Sequence, residues 1–314
     1  FAMIWKEANK RFDEYGNDKE VGTNGFYAMK AHWSEHPDRD EQWATAEKAR
    51  IGDERFRREH ECEFLIFDET LIDSIHLADM EGVAPIETTG QVRWFKRPTP
   101  GHTYLVSLDP SMGTGGDFAG IQVFELPTFE QVGEWQHNMT PMNKQVRILQ
   151  SITKHIYDTI MEKDSTATPQ IFYSMENNSI GEAALMRVMD IGEENIEGMF
   201  LSEPIRKGHR RKFRRGFNTT AKHKIDACTK FKELVENNKM KINSKLLISE
   251  LKDFVATGMS YKAKPGQHDD LVMSCLLMTR MIKTLADFDP KIFEKWTDRS
   301  SELAPMPIFG SFTG

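Results

Sequence analysis

The chain has 314 residues, of which 39% are hydrophobic and 28% charged, and a formal net charge of −7; this is the balance of an ordinary globular protein, long enough for two units, and it excludes a disordered or fibrous chain. No apolar run reaches the roughly 18 residues of a membrane span, and the sequence does not open with a basic segment, an apolar stretch and a cleavage site, so a cytoplasmic location is the default expectation. Cys62, Cys228 and Cys275 stand far apart without paired spacing, which predicts free thiols and excludes a structural zinc site or disulfide framework.

Residues 1–80 are rich in Trp, His and charge, with helical patches over Met3–Tyr15 and Arg39–Cys62, and read as a helical appendage. After a connector at Glu81–Gly90, short apolar or alternating runs at Val92–Lys96, Tyr104–Leu108 and Gly120–Leu126 predict three strands in an antiparallel meander. Val146, Leu149, Ile152, Ile156 and Ile160 recur every three or four residues and predict an amphipathic helix over Asn143–Glu162. Gln170–Met175 follows as a strand, then a helix over Ile180–Asp190 with Ser179 as its cap and a strand over Glu197–Leu201. Helices over Lys222–Glu236, Ser244–Val255 and Asp269–Leu285, with a short strand at Met240–Ile242, complete the pattern. A strand-rich start followed by alternating helices and strands predicts an α/β fold with a mixed sheet flanked by helices.

Three acidic positions from distant parts of the chain fall where a core element meets a loop. Asp109 ends the strand Thr103–Leu108 before Pro110 and the turn Gly113–Gly116; Glu176 follows the strand ending at Met175; Asp269 and Asp270 open the last helix. Taken singly, Asp109 is a turn residue, Glu176 a solvated acid and Asp269 a helix cap. Taken together, they suit hydrolysis of a phosphodiester, which needs an attacking hydroxide and a stabilised leaving oxygen, both supplied by two divalent ions. Carboxylates without a Cys or multi-His cluster favour Mg²⁺ or Mn²⁺ over Zn²⁺.

The wording around these acids carries a family resemblance. YLVSLDPSMGTGGDFAGIQVFEL (Tyr104–Leu126) resembles the first hairpin of large-terminase nucleases of tailed bacteriophages, and IFYSMENNSIGEAAL (Ile171–Leu185) their second acidic strand and following helix. GFNTTAKHKIDACTKFKELVENNKMKI (Gly216–Ile242) is similar to their Gly-Phe, Thr-Thr, Lys region, and QHDDLVMSCLLMTRM (Gln267–Met281) to their closing acidic helix. HPDRDEQWATAEKARIGDERFRREHECEF (His36–Phe64) looks like the segment that joins the packaging ATPase to the nuclease.

The resemblance implies a ribonuclease H-like nuclease domain over residues 81–314, preceded at 1–80 by the remnant of an ATPase tail and linker. It implies that Asp109, Glu176 and Asp270 are catalytic and hold Mg²⁺ or Mn²⁺, with Asp269 able to exchange roles with Asp270, Asp117 a lesser metal ligand and His268 a positioning group. The function implied is cutting of concatemeric double-stranded DNA at the start and end of genome packaging, in the cytoplasm of the infected bacterial host. The portal protein, the small terminase subunit and the ATPase part of the same polypeptide are the implied partners, and no membrane is involved. No G-x-x-x-x-G-K-[ST] motif occurs, so no ATPase activity is expected. Other ribonuclease H-like activities (resolvase, integrase, RNA-hybrid nuclease) share the acidic site, and a non-catalytic DNA or portal docking module is the reading from another class.

Charge is unevenly spread. Arg206, Lys207, Arg210, Arg211, Lys212, Arg214 and Arg215 form a run without an acid, between two acid-bearing elements. A charge run is usually a solvated face, but in this acidic chain the position favours contacts to DNA phosphates, with Phe213 and Phe217 either stacking on bases or anchoring the loop.

Overall fold

The computed structural model describes residues 4, 8, 21–22, 24–29, 31–61, 69–203 and 215–288. Apart from Ile4 and Ala8, the prediction over Met3–Tyr15 lies outside them, as do Cys62 and most of the basic run. Contacts divide the chain into two units, Phe1–Phe67 and Asp68–Gly314.

In the first unit, the single helical patch expected over Arg39–Cys62 is two helices, α1 (Glu41–Ile51) and α2 (Asp53–Glu59). Gly52 between them has φ +85°, a conformation that no helix continues through. Asp40 caps α1 by accepting from the Trp43 N–H at 2.8 Å. A small core of Trp33, Ala44 and Phe56, flanked by Trp43 and Ile51, gives the pair its apolar contact.

The second unit opens with the short helix α3 (Ser74–Asp79) and is built on a seven-stranded mixed sheet in the order β1-β2-β5-β4-β3-β6-β7. Strands β1 (Glu87–Thr89) and β2 (Val92–Trp94) form an edge hairpin. β3 (Thr103–Asp109), β4 (Ala119–Leu126) and β5 (Glu130–His137) form the antiparallel meander. Helix α4 (Met142–Lys163) then crosses over to β6 (Gln170–Met175), parallel to β3, and α5 (Ser179–Ile191) leads to β7 (Met199–Phe200), parallel to β6.

The expected meander is thus shifted by one strand: β2 pairs with β5 and not with β3, and β5 has no strand signal in the sequence. Its alternation is hidden because Gln131 and Glu134 are as buried as Val132 and Trp135. They are satisfied internally: Gln131 donates to Gln122 Oε1 at 2.7 Å, while Glu134 accepts from Arg93 at 2.9 Å and from the Ser244 hydroxyl at 2.6 Å.

Helices cover both faces. On one, Val146, Leu149, Ile152, Ile156 and Ile160 of α4 pack with Tyr104, Val106 and Leu108 of β3 and Tyr173 and Met175 of β6, so the predicted helical stripe is the core stripe. The other face receives the last helix, α8 (Asp270–Phe288), with α6 (Ala221–Glu236) and α7 (Lys245–Asp253) packed against it. The Ser107 hydroxyl donates to Ser274 O at 2.8 Å and the Ser274 hydroxyl to Gly120 O at 2.7 Å, fastening α8 to the centre of the sheet.

Smaller departures have local causes. Asn178, not Ser179, caps α5, accepting from the Gly181 N–H at 2.7 Å. Ser244 caps α7 and Phe254 already begins a separate hairpin, β8 (Phe254–Thr257) with β9 (Ser260–Ala263), that the sequence did not reveal. Met240–Ile242 makes only an isolated bridge, Lys241 to Glu130.

Candidate active site

Strand parity and the parallel pairing of β3 with β6 bring two acids side by side. Ser107 faces α8, so Asp109, two residues on, faces the same layer. On β6, Tyr173 and Met175 belong to the α4 core, which turns Glu176 to the α8 side. Leu108 pairs with Met175, and the Glu176 N–H continues the ladder by donating to Leu108 O at 3.2 Å. On its other side Glu176 is bridged to Phe217, and the Asn177 N–H donates to Phe217 O at 2.7 Å.

Two glycines make room for these approaches. A Cβ at Gly120, the cross-strand partner of Asp109, would lie 2.9 Å from Asp270 O, so only glycine lets the start of α8 come this close to the sheet. A Cβ at Gly181 would overlap Glu176 O, which fixes the turn after the second acid.

Asp109 and Glu176 line one cleft. Burial first, and then the Glu176 charge, push the Asp109 carboxyl well above the usual range, with smaller contributions from Asp270 and Asp269. Asp270 is pushed up to about 6 by burial and by Asp269, against the lowering effect of His268. Its Oδ2 is buried without a hydrogen-bond partner among the described residues, and the His268 ring Nδ1 lies 3.7 Å away.

The structure brings Asp109, Glu176 and Asp270 to one end of the sheet and gives the other predicted residues different surroundings. Asp269 does not cap α8: its Oδ2 accepts from the Ala263 N–H at 3.2 Å, tying it to β9. Asp117 is exposed and acts on Asp270 only through its charge. His268 meets the Phe118 ring edge-on at 4.7 Å. Phe217 is buried, so it anchors its segment and is not a stacking surface. Of the basic run, Arg206, Lys207, Arg210, Arg211, Lys212 and Arg214 lie outside the described residues, as does Phe213. Arg215 pairs with Glu193 and lies over the Phe200 ring.

A cleft beside Asp109 and Glu176 is lined also by Thr219, Lys224, Met273 and Arg280. Sequence reasoning did not single out Arg280. Its guanidinium pairs with Glu203, donates to Thr219 Oγ1 and Asn218 O at 3.1 Å, and lies over the Phe217 ring. A signal was present, since Arg280 is the only charged residue in α8 between Asp270 and Lys283. The Glu203 N–H also donates to Gly216 O at 3.2 Å, so the two ends of the basic segment meet and are fastened to α8.

A helix-covered mixed sheet with acids at the ends of two parallel strands and at the start of the last helix matches a family model across residues 106–281, more than half of the chain; the model describes the terminase RNase H-like domain. The chain belongs to this family. The terminase domain is also similar in fold to the crystal structure of the large terminase nuclease from thermophilic phage G20c with bound magnesium, at 18% identity and a TM-score of 0.50, covering 68% of this chain and 97% of that one. The same phage nuclease with bound cobalt gives the same figures. The nuclease domain of the Thermus phage P74-26 large terminase matches at 19% identity and a TM-score of 0.45, covering 65% of this chain and 91% of that one.

Proposed function

We propose that this terminase domain is a divalent-metal-dependent endonuclease that cuts concatemeric double-stranded DNA when packaging starts and ends, with Asp109, Glu176 and Asp270 as its catalytic carboxylates. The observation that carries the reading is the Asp109–Glu176 pair, two acids forced together on parallel strands, with the unpartnered Asp270 oxygen at the adjoining helix start. Burial and the neighbouring Glu176 charge raise the Asp109 carboxyl, and a divalent cation at this place would relieve that repulsion. Among the described residues no three His, Cys, Asp or Glu side chains close around one point. A Mg²⁺ or Mn²⁺ ion here would therefore rest on one or two carboxylates and complete its shell with water and substrate phosphate. The phage G20c nuclease was crystallised with magnesium and with cobalt.

Asp109, Glu176 and Asp270 would hold the divalent ions, while Asp269 and Asp117 would add negative potential from the rim. Bound there, such ions supply an activated water and stabilise the leaving oxygen. Lys224 and Arg280, lining the same cleft, offset the phosphate charge beside the acids. The basic run Arg206–Arg215 is proposed to contact DNA phosphates. The portal protein, the small terminase subunit and an ATPase part upstream are proposed partners, in the cytoplasm of an infected bacterium; among the described residues no helix is long and apolar enough to cross a membrane.

Nicking of supercoiled plasmid by the pure protein in Mg²⁺ or Mn²⁺, and its loss in EDTA, tests this directly. Duplex cleavage in preference to four-way junctions and RNA–DNA hybrids supports the packaging role. DNA binding without cleavage under any metal would leave a docking module.

A further inference from the structure

An α-helix leaves its first amide N–H groups without internal partners, and the residue before the first turn usually supplies an oxygen to them. In α8 that residue is Asp269, whose carbonyl accepts the first helical bond, from the Met273 N–H at 2.7 Å. Its side chain is turned instead to the Ala263 N–H of β9. Asp270, next in sequence, keeps a buried oxygen without a partner. Neither acid therefore receives the helix's leading amides.

Those amides are taken by a side chain from another helix. Glu250 of α7, only 9% exposed, accepts from the Leu271 N–H at 2.8 Å and the Val272 N–H at 3.2 Å through Oε2, and from the Gln136 amide of β5 at 2.6 Å through Oε1. All of its hydrogen-bonding contacts go to the end of one central strand and to the start of the helix that carries the third acid.

We propose that Glu250 is a positioning residue for the metal site: by capping α8 in place of Asp269 and Asp270, it fixes the helix start against the sheet and leaves the unpartnered Asp270 Oδ2 to meet a divalent cation. The inference rests on the metal-dependent reading of Asp109, Glu176 and Asp270. Outer partners that orient a ligand typically change metal affinity or activity by about 10–100-fold when removed. Burial pushes Glu250 up to about 8, yet Oε2 accepts an N–H whether or not the group is charged, so the cap persists in the neutral form.

This separates three variants in Mn²⁺ titration calorimetry on folded protein, with circular dichroism as the control for folding. Glu250→Gln retains an acceptor at the same reach, and its Kd for Mn²⁺ is expected within about threefold of wild type. Glu250→Asp keeps the charge but withdraws it by one C–C bond, about 1.5 Å, and is expected to bind Mn²⁺ at least about tenfold more weakly. Gln136→Leu removes only the group that orients Glu250 and is expected to weaken binding by about threefold or more, a result that stands in for Glu250→Asp if that variant does not fold. Wild-type affinity in folded Glu250→Asp, or in Gln136→Leu, overturns the proposal. So does a loss in Glu250→Gln equal to that in Glu250→Asp, because charge and not capping would then be the cause. If wild type binds no Mn²⁺, or Asp270→Asn binds it unchanged, the metal reading itself fails, an outcome distinct from these.

Discussion

Asp109 and Glu176 each stand one residue past Leu108 and Met175, the last pair of the parallel β3–β6 ladder, and the Glu176 charge bears on the Asp109 carboxyl. Two acids so placed cannot both ionise cheaply without a cation, so either a proton or a metal belongs between them. Asp109→Asn, Glu176→Gln and Asp270→Asn should each keep the fold and reduce metal-dependent nicking by more than about 100-fold, beyond what outer-partner changes typically cost. Wild-type nicking by Asp109→Asn at saturating Mn²⁺ would remove that residue from the site.

The same crowding sets a pH dependence in metal-free protein. The Asp270 carboxyl is raised from 3.8 to about 6, so the folded state holds a proton that the unfolded chain has already released. Its stabilising share is full below about pH 4 and is lost as pH rises through about 6. Asp270→Asn has no such loss and should gain on wild type by roughly 2 kcal/mol between pH 4 and pH 7 in EDTA, after allowance for partial solvation. Denaturant unfolding of both proteins across this range measures the difference, and a flat difference would mean that Asp270 titrates normally.

The elements that carry the site were legible because their local signals agree with their environment. β3 is an apolar run that ends in an acid, β6 is one that an acid follows, and α4 shows its buried stripe in a regular spacing. β5 was not legible, because Gln131 and Glu134 are buried polar residues whose partners Gln122, Arg93 and Ser244 come from elsewhere in the chain. The supporting shell was hidden for the same reason. Glu250 reads as one more polar position on an amphipathic helix, and only the packing of α7 against α8 brings it to the Leu271 and Val272 amides. Asp269 and Asp270 look equivalent in sequence, and their different partners separate them.

That separation is testable. Asp269 is engaged by the Ala263 N–H, which an amide oxygen also accepts, so Asp269→Asn should retain cleavage within about tenfold of wild type, inside the range of an outer partner. Metal-titrated nicking rates for the two single variants decide it. Equal losses in Asp269→Asn and Asp270→Asn would show that both acids are direct ligands.

Arg280 holds Glu203, Thr219 and Asn218 at the foot of the basic segment. Arg280→Met preserves the apolar stem but strands a half-buried carboxylate, and it should lower the unfolding free energy by about 2 kcal/mol. Because the cleft loses a cation beside Glu176, DNA affinity should fall as well. Urea unfolding and DNA titration read the two effects, and unchanged stability would mean that the Glu203 contact contributes nothing net.

The last prediction concerns the basic run. Arg215 is paired with Glu193 and lies over Phe200, so its charge is partly satisfied within the protein. Replacing Arg210, Arg211 and Arg214 by Ala should weaken duplex binding similarly across sequences and lower the slope of log affinity against log salt by about 0.9 for every phosphate that is no longer neutralised. Arg215→Ala alone should change that slope by clearly less than a full phosphate's share, because the substitution removes an internal pair more than a bond to DNA. Cleavage by the triple variant should fall at low DNA concentration and recover at high concentration, since the carboxylates are untouched. An unchanged salt slope in the folded triple variant would assign the run to solvent or to a protein partner, and a rate deficit that persists at saturating DNA would put one of these arginines in contact with the transition state.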